Sequence, residues 1–546
     1  MRFFSLISNL LLLIPTALYS LSKLFFHPVK HKKIKSMGRS TKQLSQAFPE
    51  TFGFSQSIFQ DEGVGTYASP TKLKGICNWD KWLSSPHIEG MGPASSEYRK
   101  FFVRILSDPL PFVGILQKMG VNAHRFSFEW AVLEPEKGKI DPEALKLYRT
   151  FIRELKNAGI EPWCTLHHFV LPEWAQEEGG FANEEICDHF VRHSLNMMAL
   201  FPEVSYWLTF NEPAVFAMQS YIRGVYPPGE KGNLAKAGRV LRNLLIAHCS
   251  LYRKAKELFG SSKQIGIAHQ WLKFVPLNKG NPLERLICYF LSKIAHYSVY
   301  NFFKTGKFAY EVIGKANVHL EIPENEFQEQ HRFLDFIAPQ FYGFPRFKMG
   351  WNRGKTYPGF KVMNFNFWKW GITIGNTCSA GGKMQAFGPN YDPESLRVCL
   401  LEAAILGPIA ITETGCDAMI QRHGGLESNF TLDEATQKAY FQDIAPILQE
   451  FKDKILAIFV WTLIRGQLEW DRGDVCSLGL IPLIVDEDRR IIGHRMTPGA
   501  ELLQNIYLAK KTNPRESTRN RRSGPGRRVK RRIPKQALLQ SFNPLP

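Results

Sequence analysis

Between residues 47 and 509 short apolar runs alternate with longer stretches of helical periodicity, and that alternation leaves few architectures open. The runs are TFGFSQSI (51–58), NAHRFSF (122–128), EPWCTLH (161–167), YWLTF (206–210), QIGIAH (264–269), LDFIAPQF (334–341), PIAIT (408–412) and AIFVWT (457–462). Helix punctuation falls between them. Asp141-Pro142-Glu143 offers an N-cap, a first-turn proline and an acidic first turn, after which Leu145, Tyr148, Ile152 and Leu155 keep one face apolar up to Gly159. Asp392-Pro393-Glu394 opens a second such segment, and Gly407 closes it just before a strand. Eight strands joined by helical crossovers predict an α/β protein, a (β/α)8 TIM barrel with insertions. A doubly wound open sheet is the alternative, but no G-x-G-x-x-G follows any strand, which argues against a dinucleotide-binding version.

In a barrel of this kind chemistry gathers where the strands end. Those ends carry Gln60, Arg125, His167 and His168, Asn211 and Glu212, Tyr342, Glu413, and Trp461. The stretch YWLTFNEP is the most telling, because a buried strand delivers an amide and a carboxylate side by side and then stops at a proline. A lone strand-end glutamate most often caps the next helix or forms a salt bridge. A second carboxylate arriving at the same rim, Glu413 in ITETG, changes the reading. Two carboxyl groups on separate strands suit a general acid opposite a nucleophile or base.

At these positions the chain resembles glycoside hydrolase family 1, the β-glucosidase family, across residues 50–507. TFNEP (209–213) is similar to that family's acid/base motif, and ITETG (411–415) to its nucleophile motif, with Thr414 where asparagine is usual. RFSFEW (125–130), TLHHFVLPEW (165–174), GGF (179–181) and LEW (468–470) follow in the family's order. The resemblance implies a retaining β-glycosidase acting on β-O-glycosides of neutral glucose- or galactose-type sugars, with no cofactor and no metal. It implies Glu212 as acid/base and Glu413 as nucleophile, about 5–5.5 Å apart. Arg125 would stand beside Glu413 and lower its pKa, and Tyr342 would hydrogen-bond it. Asn211 would hold the sugar 2-hydroxyl, Gln60 and His168 the 3- and 4-hydroxyls, Trp461 would form a stacking platform, and Glu469 and Trp470 would close the far end. The carboxylate of Glu469 would repel a 6-phosphosugar. Departures from the family pattern are the opening FGFSQSIFQDEG, Gln340 for asparagine, Phe169 for tryptophan, and a run WTLIRGQLE one residue longer than usual.

The net charge of +19 invites a nucleic-acid reading, but its location opposes one. Residues 1–46 and 510–546 hold all of the excess, and residues 47–509 sum to zero. Three segments are therefore expected: a hydrophobic anchor with a basic linker (1–46), a catalytic barrel (47–509) and a disordered basic tail (510–546). Residues 3–22 carry no charge and are long enough to cross a bilayer. The cations that follow them place the barrel on the cytoplasmic side, with a cleaved signal peptide as the rival reading. The tail is either a lipid- or RNA-touching segment or a solvated charge run. Nine scattered cysteines with no C-x-x-C fit reduced, buried thiols. Two other functions share the pattern: a membrane-tethered transglycosylase, which uses both carboxylates but passes the sugar to a sugar or glycolipid acceptor, and a non-catalytic carbohydrate-binding relative, which would have lost one.

Overall fold

The eight apolar runs form eight parallel strands. They are β1 (Thr51–Ser55), β2 (Ala123–Ser127), β3 (Glu161–His167), β4 (Tyr206–Asn211), β5 (Gln264–Gln270), β6 (Phe336–Phe341), β7 (Ile409–Ile411, resumed at Glu413–Thr414) and β8 (Ile455–Val460). Each pairs with the next, and β8 returns to β1, so the sheet closes into a barrel. The computed structural model describes residues 40–63, 75–83, 102–276, 278–329, 331–351, 360–367, 370–375, 383–385, 393–422, 431–466 and 477–512.

Eight helices follow the strands in turn: α1 (Pro109–Lys118), α2 (Pro142–Asn157), α3 (Glu184–Leu200), α4 (Leu234–Phe259), α5 (Ser298–Thr305), α6 (Glu394–Leu406), α7 (Glu434–Glu450) and α8 (Pro498–Thr512). The start of α2 is the one its sequence predicts. The Asp141 side chain accepts from the Ala144 amide at 2.8 Å, Pro142 fills the first turn, and Tyr148, Phe151, Ile152 and Leu155 are buried. The expected cap of α6, Asp392, lies outside the described residues.

Inside the barrel, inward positions of adjacent strands supply Ala123, Trp163, Leu208, Ala268, Phe336, Ala338, Ala410, Ala457 and Phe459. Trp163 stacks on Tyr206 with centroids 4.0 Å apart and meets Phe336 and Phe459 edge-on at 5.3 and 5.1 Å. Alanines beside large rings fill this layer. The polar inward residues, Arg125, Asn211, Gln340 and Glu413, belong to the same strands as this plug.

The body starts before the expected boundary at 47. Ser40 caps a helix over Thr41–Ala47 in a reciprocal capping box with Gln43. Leu44, Ala47 and Phe48 are buried, and the Phe48 ring meets Tyr507 of α8 at 6.1 Å. At the other end α8 continues to Thr512, past the expected limit at 509. Residues 3–22 and the tail beyond Thr512 lie outside the described residues. Among the described residues no helix is long and apolar enough to cross a membrane. Seven cysteines are described, all buried, and no two of them form a disulfide; Cys378 and Cys476 fall outside the described residues.

Candidate active site

Local irregularities in two strands bring the polar side chains together. Along β4, Tyr206 and Leu208 face the interior, whereas Thr209 reaches outward to His248 of α4 at 2.8 Å. The register shifts between Leu208 and Asn211, and this bulge turns Asn211 inward. Strand β7 breaks at Thr412. It then resumes with Glu413 opposite Gln340 and Thr414 opposite Phe341.

Glu413 is 4% exposed and takes three donors. Oε1 accepts from Arg125 Nη1 at 2.5 Å and from Gln340 Nε2 at 2.5 Å, and Oε2 accepts from Tyr342 Oη at 2.6 Å. Arg125 is fully buried and fully used: Nη2 donates to Asn211 Oδ1 at 2.7 Å and Nε to Thr165 Oγ1 at 3.0 Å. Gln340 Nε2 also donates to Asn211 Oδ1 at 2.7 Å. The Asn211 carbonyl is thus held by two donors, which sets which way its amide points.

Burial pushes the Glu413 carboxyl above its ordinary value, and the Arg125 guanidinium and the Tyr342 hydroxyl pull against that push. Arg125 acts on this carboxyl in the direction expected of it, toward a lower pKa, but desolvation of a carboxylate in a closed barrel exceeds it. His168 is held well below the usual histidine range by burial, with Arg125 adding to the effect, so the imidazole is neutral and offers both a donor and an acceptor.

Glu212 follows β4 directly, with φ +45° and ψ +60°, a left-handed backbone rare for a glutamate. It stands at the N-cap of a helix over Pro213–Tyr221, yet its side chain makes no capping hydrogen bond. Its backbone amide is tied to the Ala268 carbonyl at 2.9 Å, so strand β5 holds the conformation from the side. The helix-cap alternative is therefore removed. Strain of this kind in a buried carboxylate residue is a pointer to function.

Trp461 follows β8, and its amide donates to the Thr414 carbonyl at 3.1 Å, one residue beyond Glu413. Its ring stacks on His168 at 5.6 Å and 20°, and it packs with Tyr342 and Leu478. Gln60 lies fully buried in a short helix, Ile58–Glu62, one turn beyond β1. That helix is fastened to the end of β2 through Ile58 N to Ser127 Oγ at 2.9 Å and Phe59 N to Glu129 Oε1 at 3.2 Å. Glu469 and Trp470 lie outside the described residues.

One strand-end residue does not join the group. His167 is packed among Phe181, Phe190, Phe210 and Phe216, and burial lowers its pKa to about 3. Two residues of the cluster carry no role in the sequence reading. Gln340 stood out only as a departure, and Thr165 only as the first residue of the quoted TLHHFVLPEW. Both were reachable from the alternation of their strands, since Gln340 shares a face with Phe336 and Ala338, and Thr165 with Trp163.

The model of glycosyl hydrolase family 1 matches residues 44–475. A 6-phospho-β-galactosidase of Streptococcus mutans is 33% identical over 247 residues, 44% of this chain. That match spans 49% of the relative, so the chain aligns with about half its length. Among solved structures, a psychrophilic β-glucosidase from Micrococcus antarcticus superposes with a TM-score of 0.68 at 21% identity, covering 87% of this chain and 100% of that one. A rice β-glucosidase superposes with 0.67 at 18% identity, covering 84% and 98%. A family 1 β-glucosidase from Thermotoga maritima does so with 0.64 at 21%, covering 85% and 98%. At such identities the superpositions establish the shared barrel. The family match covers most of the chain and includes both strand-end carboxylates, and the protein belongs to glycosyl hydrolase family 1.

Proposed function

We propose that the protein is a retaining β-glycosidase that cleaves β-O-glycosides of neutral sugars by double displacement. The observation that carries this reading is the set of three donors converging on Glu413 of β7 while a second buried carboxylate residue, Glu212, stands in a left-handed backbone at the end of β4. Glu413 Oε1 is occupied by two donors, so Oε2, with Tyr342 alone, is the oxygen that attacks the anomeric carbon. As that bond forms, the glycosidic C–O bond breaks, and Glu212 gives its proton to the departing oxygen. The glycosyl ester at Glu413 carries no charge. Glu212, now a carboxylate, takes a proton from water, the water oxygen attacks the anomeric carbon, and Glu413 leaves with its electron pair. Arg125 and Gln340 hold Glu413 and Asn211 in one frame, so the Asn211 amide is oriented toward the 2-hydroxyl before substrate arrives. The rice relative is recorded in a covalent complex with glucose, the kind of intermediate this scheme requires.

His168 and Trp461 form the wall against which a sugar ring packs, and Gln60 adds a polar group beside it. The preference for neutral over 6-phosphorylated sugars rests on Glu469. The Streptococcus relative is named for a phosphorylated galactoside, so both classes belong in the test. The proposal includes the tether formed by residues 3–22, with the barrel on the cytoplasmic side. The deciding experiment follows a panel of aryl β-glucosides, β-galactosides and their 6-phosphates by proton NMR. The first-formed product is expected to be the β-anomer of an unphosphorylated sugar. The α-anomer would overturn the mechanism, and turnover confined to phosphorylated substrates would overturn the substrate class.

A further inference from the structure

A helix over Pro282–Ser292 is laid with its polar side inward. Glu284, Cys288 and Ser292 are buried, whereas Leu283, Leu286, Tyr289 and Phe290 are 48, 45, 42 and 39% exposed. A surface helix ordinarily does the reverse. Hydrogen bonds fix this roll. Glu284 Oε2 accepts from the Asn278 amide at 2.8 Å, and Ser292 Oγ accepts from the Phe274 amide at 2.9 Å while donating to the Cys288 carbonyl at 2.7 Å. Asn281 caps the first turn through the Leu283 and Glu284 amides. Turning the helix over would leave a buried carboxylate unpartnered. The apolar stripe is therefore presented to the outside by the same bonds that hold the helix.

The helix belongs to the connection that leaves the C-terminal end of β5, on the face where Glu212 and Glu413 stand. The residues just before it, Val275–Pro276, pair with Arg346–Phe347, which follow Tyr342. Next to it a β-hairpin (Lys307–Val312 with Ala316–Glu321) is tied on by Lys293 to Glu311 at 2.7 Å. The hairpin turn carries Ile313, 72% exposed, then Gly314 at φ +67° and Lys315. It lies flush on α4 because Gly238 has no side chain; a Cβ there would sit 2.7 Å from the Tyr310 ring. Between hairpin tip and α4 runs a groove of about 540 Å³ lined by Arg239, Arg242, Lys315 and His319. Arg242 reaches Glu184 at 3.3 Å, and His319 reaches Glu311 at 3.4 Å. Among the described residues Arg239 and Lys315 form no salt bridge, and Glu230 acts on Arg239 only at longer range. Residues 273–321 hold seven Lys/Arg against three Glu, within a body whose charges sum to zero.

We propose that this face is a monotopic membrane-docking surface for a bilayer that carries anionic lipid. The stripe of helix 282–292 and the Ile313 tip enter the boundary of the acyl layer, and Arg239 and Lys315 meet headgroup phosphates. The stripe covers about 16 Å along the first three turns of a helix that continues through Lys293–Tyr297 into α5, and an apolar face of that length on the flank of the barrel is suited to lying in the plane of a bilayer. A second copy of the chain fits less well, since a twofold contact would set this cationic region against itself. The proposal does not rest on the glycosidase reading or on residues 1–39.

Hydrogen exchange of the full-length protein, read by mass spectrometry, tests it without using catalysis. Vesicles of phosphatidylcholine with phosphatidylglycerol are expected to slow exchange in 282–292 and around Ile313 by about tenfold or more. Glycerol phosphate in solution should leave both segments unchanged. The Leu286→Glu/Phe290→Glu variant should lose the slowing while keeping wild-type thermal unfolding and turnover of a soluble aryl glycoside. Absence of slowing with vesicles, or slowing that survives in the variant, overturns the proposal. So does slowing without vesicles that grows with protein concentration, which would make a second copy the occupant, or an equal effect of glycerol phosphate.

Discussion

Glu413 illustrates how much a single side chain depends on partners from other strands. Its three donors come from β2, β6 and the turn after β6, and none is a sequence neighbour. Glu413→Gln keeps the shape and removes the nucleophile, so turnover of an activated aryl β-glycoside should fall on the order of 10⁴-fold or more. Near-wild-type rates in a stopped assay would end the assignment. Glu212→Ala is expected to slow substrates with alkoxide leaving groups far more than nitrophenyl glycosides, because a nitrophenolate departs without a proton. Equal slowing of the glycosylation step for both would deny Glu212 the acid role. Gln340→Leu removes one donor each from Glu413 and Asn211 and should lower kcat by about 10²-fold, with Gln340→Asn recovering part of the loss. Both carboxylates were legible in the sequence, because a charged residue at the end of a buried run is conspicuous. For Gln340 alternation along its strand gives the inward direction but not the partner, since its function depends on lying opposite Glu413 of the adjacent strand, and that pairing exists only once the barrel closes.

At the scale of elements, all eight strands were readable from apolar runs and their punctuation, and each differs from its expected span by a few residues at most. The devices that aim the site were not readable. The bulge in β4 and the break in β7 interrupt the two-residue alternation on which such a reading depends. The helix over 282–292 is harder still. Its periodicity points Leu283, Leu286 and Phe290 at a core, and only the bonds made by Glu284 and Ser292 reverse that. The junction between β2 and the helix carrying Gln60 offers a test of its own. Glu129 is buried there, accepts from Ser127 Oγ at 2.5 Å, and has its pKa pushed up to about 7, chiefly by burial. Because the folded value lies above the unfolded one, its contribution is full below the unfolded pKa and is lost as pH rises through about 7. Glu129→Gln keeps an acceptor for Ser127 and Phe59 and cannot ionise. The variant should be more stable than wild type at about pH 8, by up to about 3 kcal/mol, and equal to it near pH 4.5. Urea melts at the two pH values measure this; a variant less stable at both would reject the account.

At the scale of the whole molecule, the helix that Ser40 caps packs on α8, and truncations should register that. Removal of residues 1–39 is expected to leave melting temperature and aryl-glycosidase turnover intact. Removal of 1–48 strips buried Leu44 and Phe48 from the α8 side and should cost about 3–6 kcal/mol. Equal melting of the two truncations would show that this helix adds nothing. Charge bookkeeping by segment was legible from the start, and it argued against reading the body as a basic nucleic-acid platform; what it averaged away was the local concentration of cations around the hairpin. The outward-facing stripe of helix 282–292 has a kinetic consequence. An enzyme seated on a bilayer by its own rim searches for glycosides in two dimensions. Its rate on a lipid-borne substrate then follows that lipid's mole fraction in the surface, so diluting the glycolipid with inert lipid slows turnover even when the amount in the tube is unchanged.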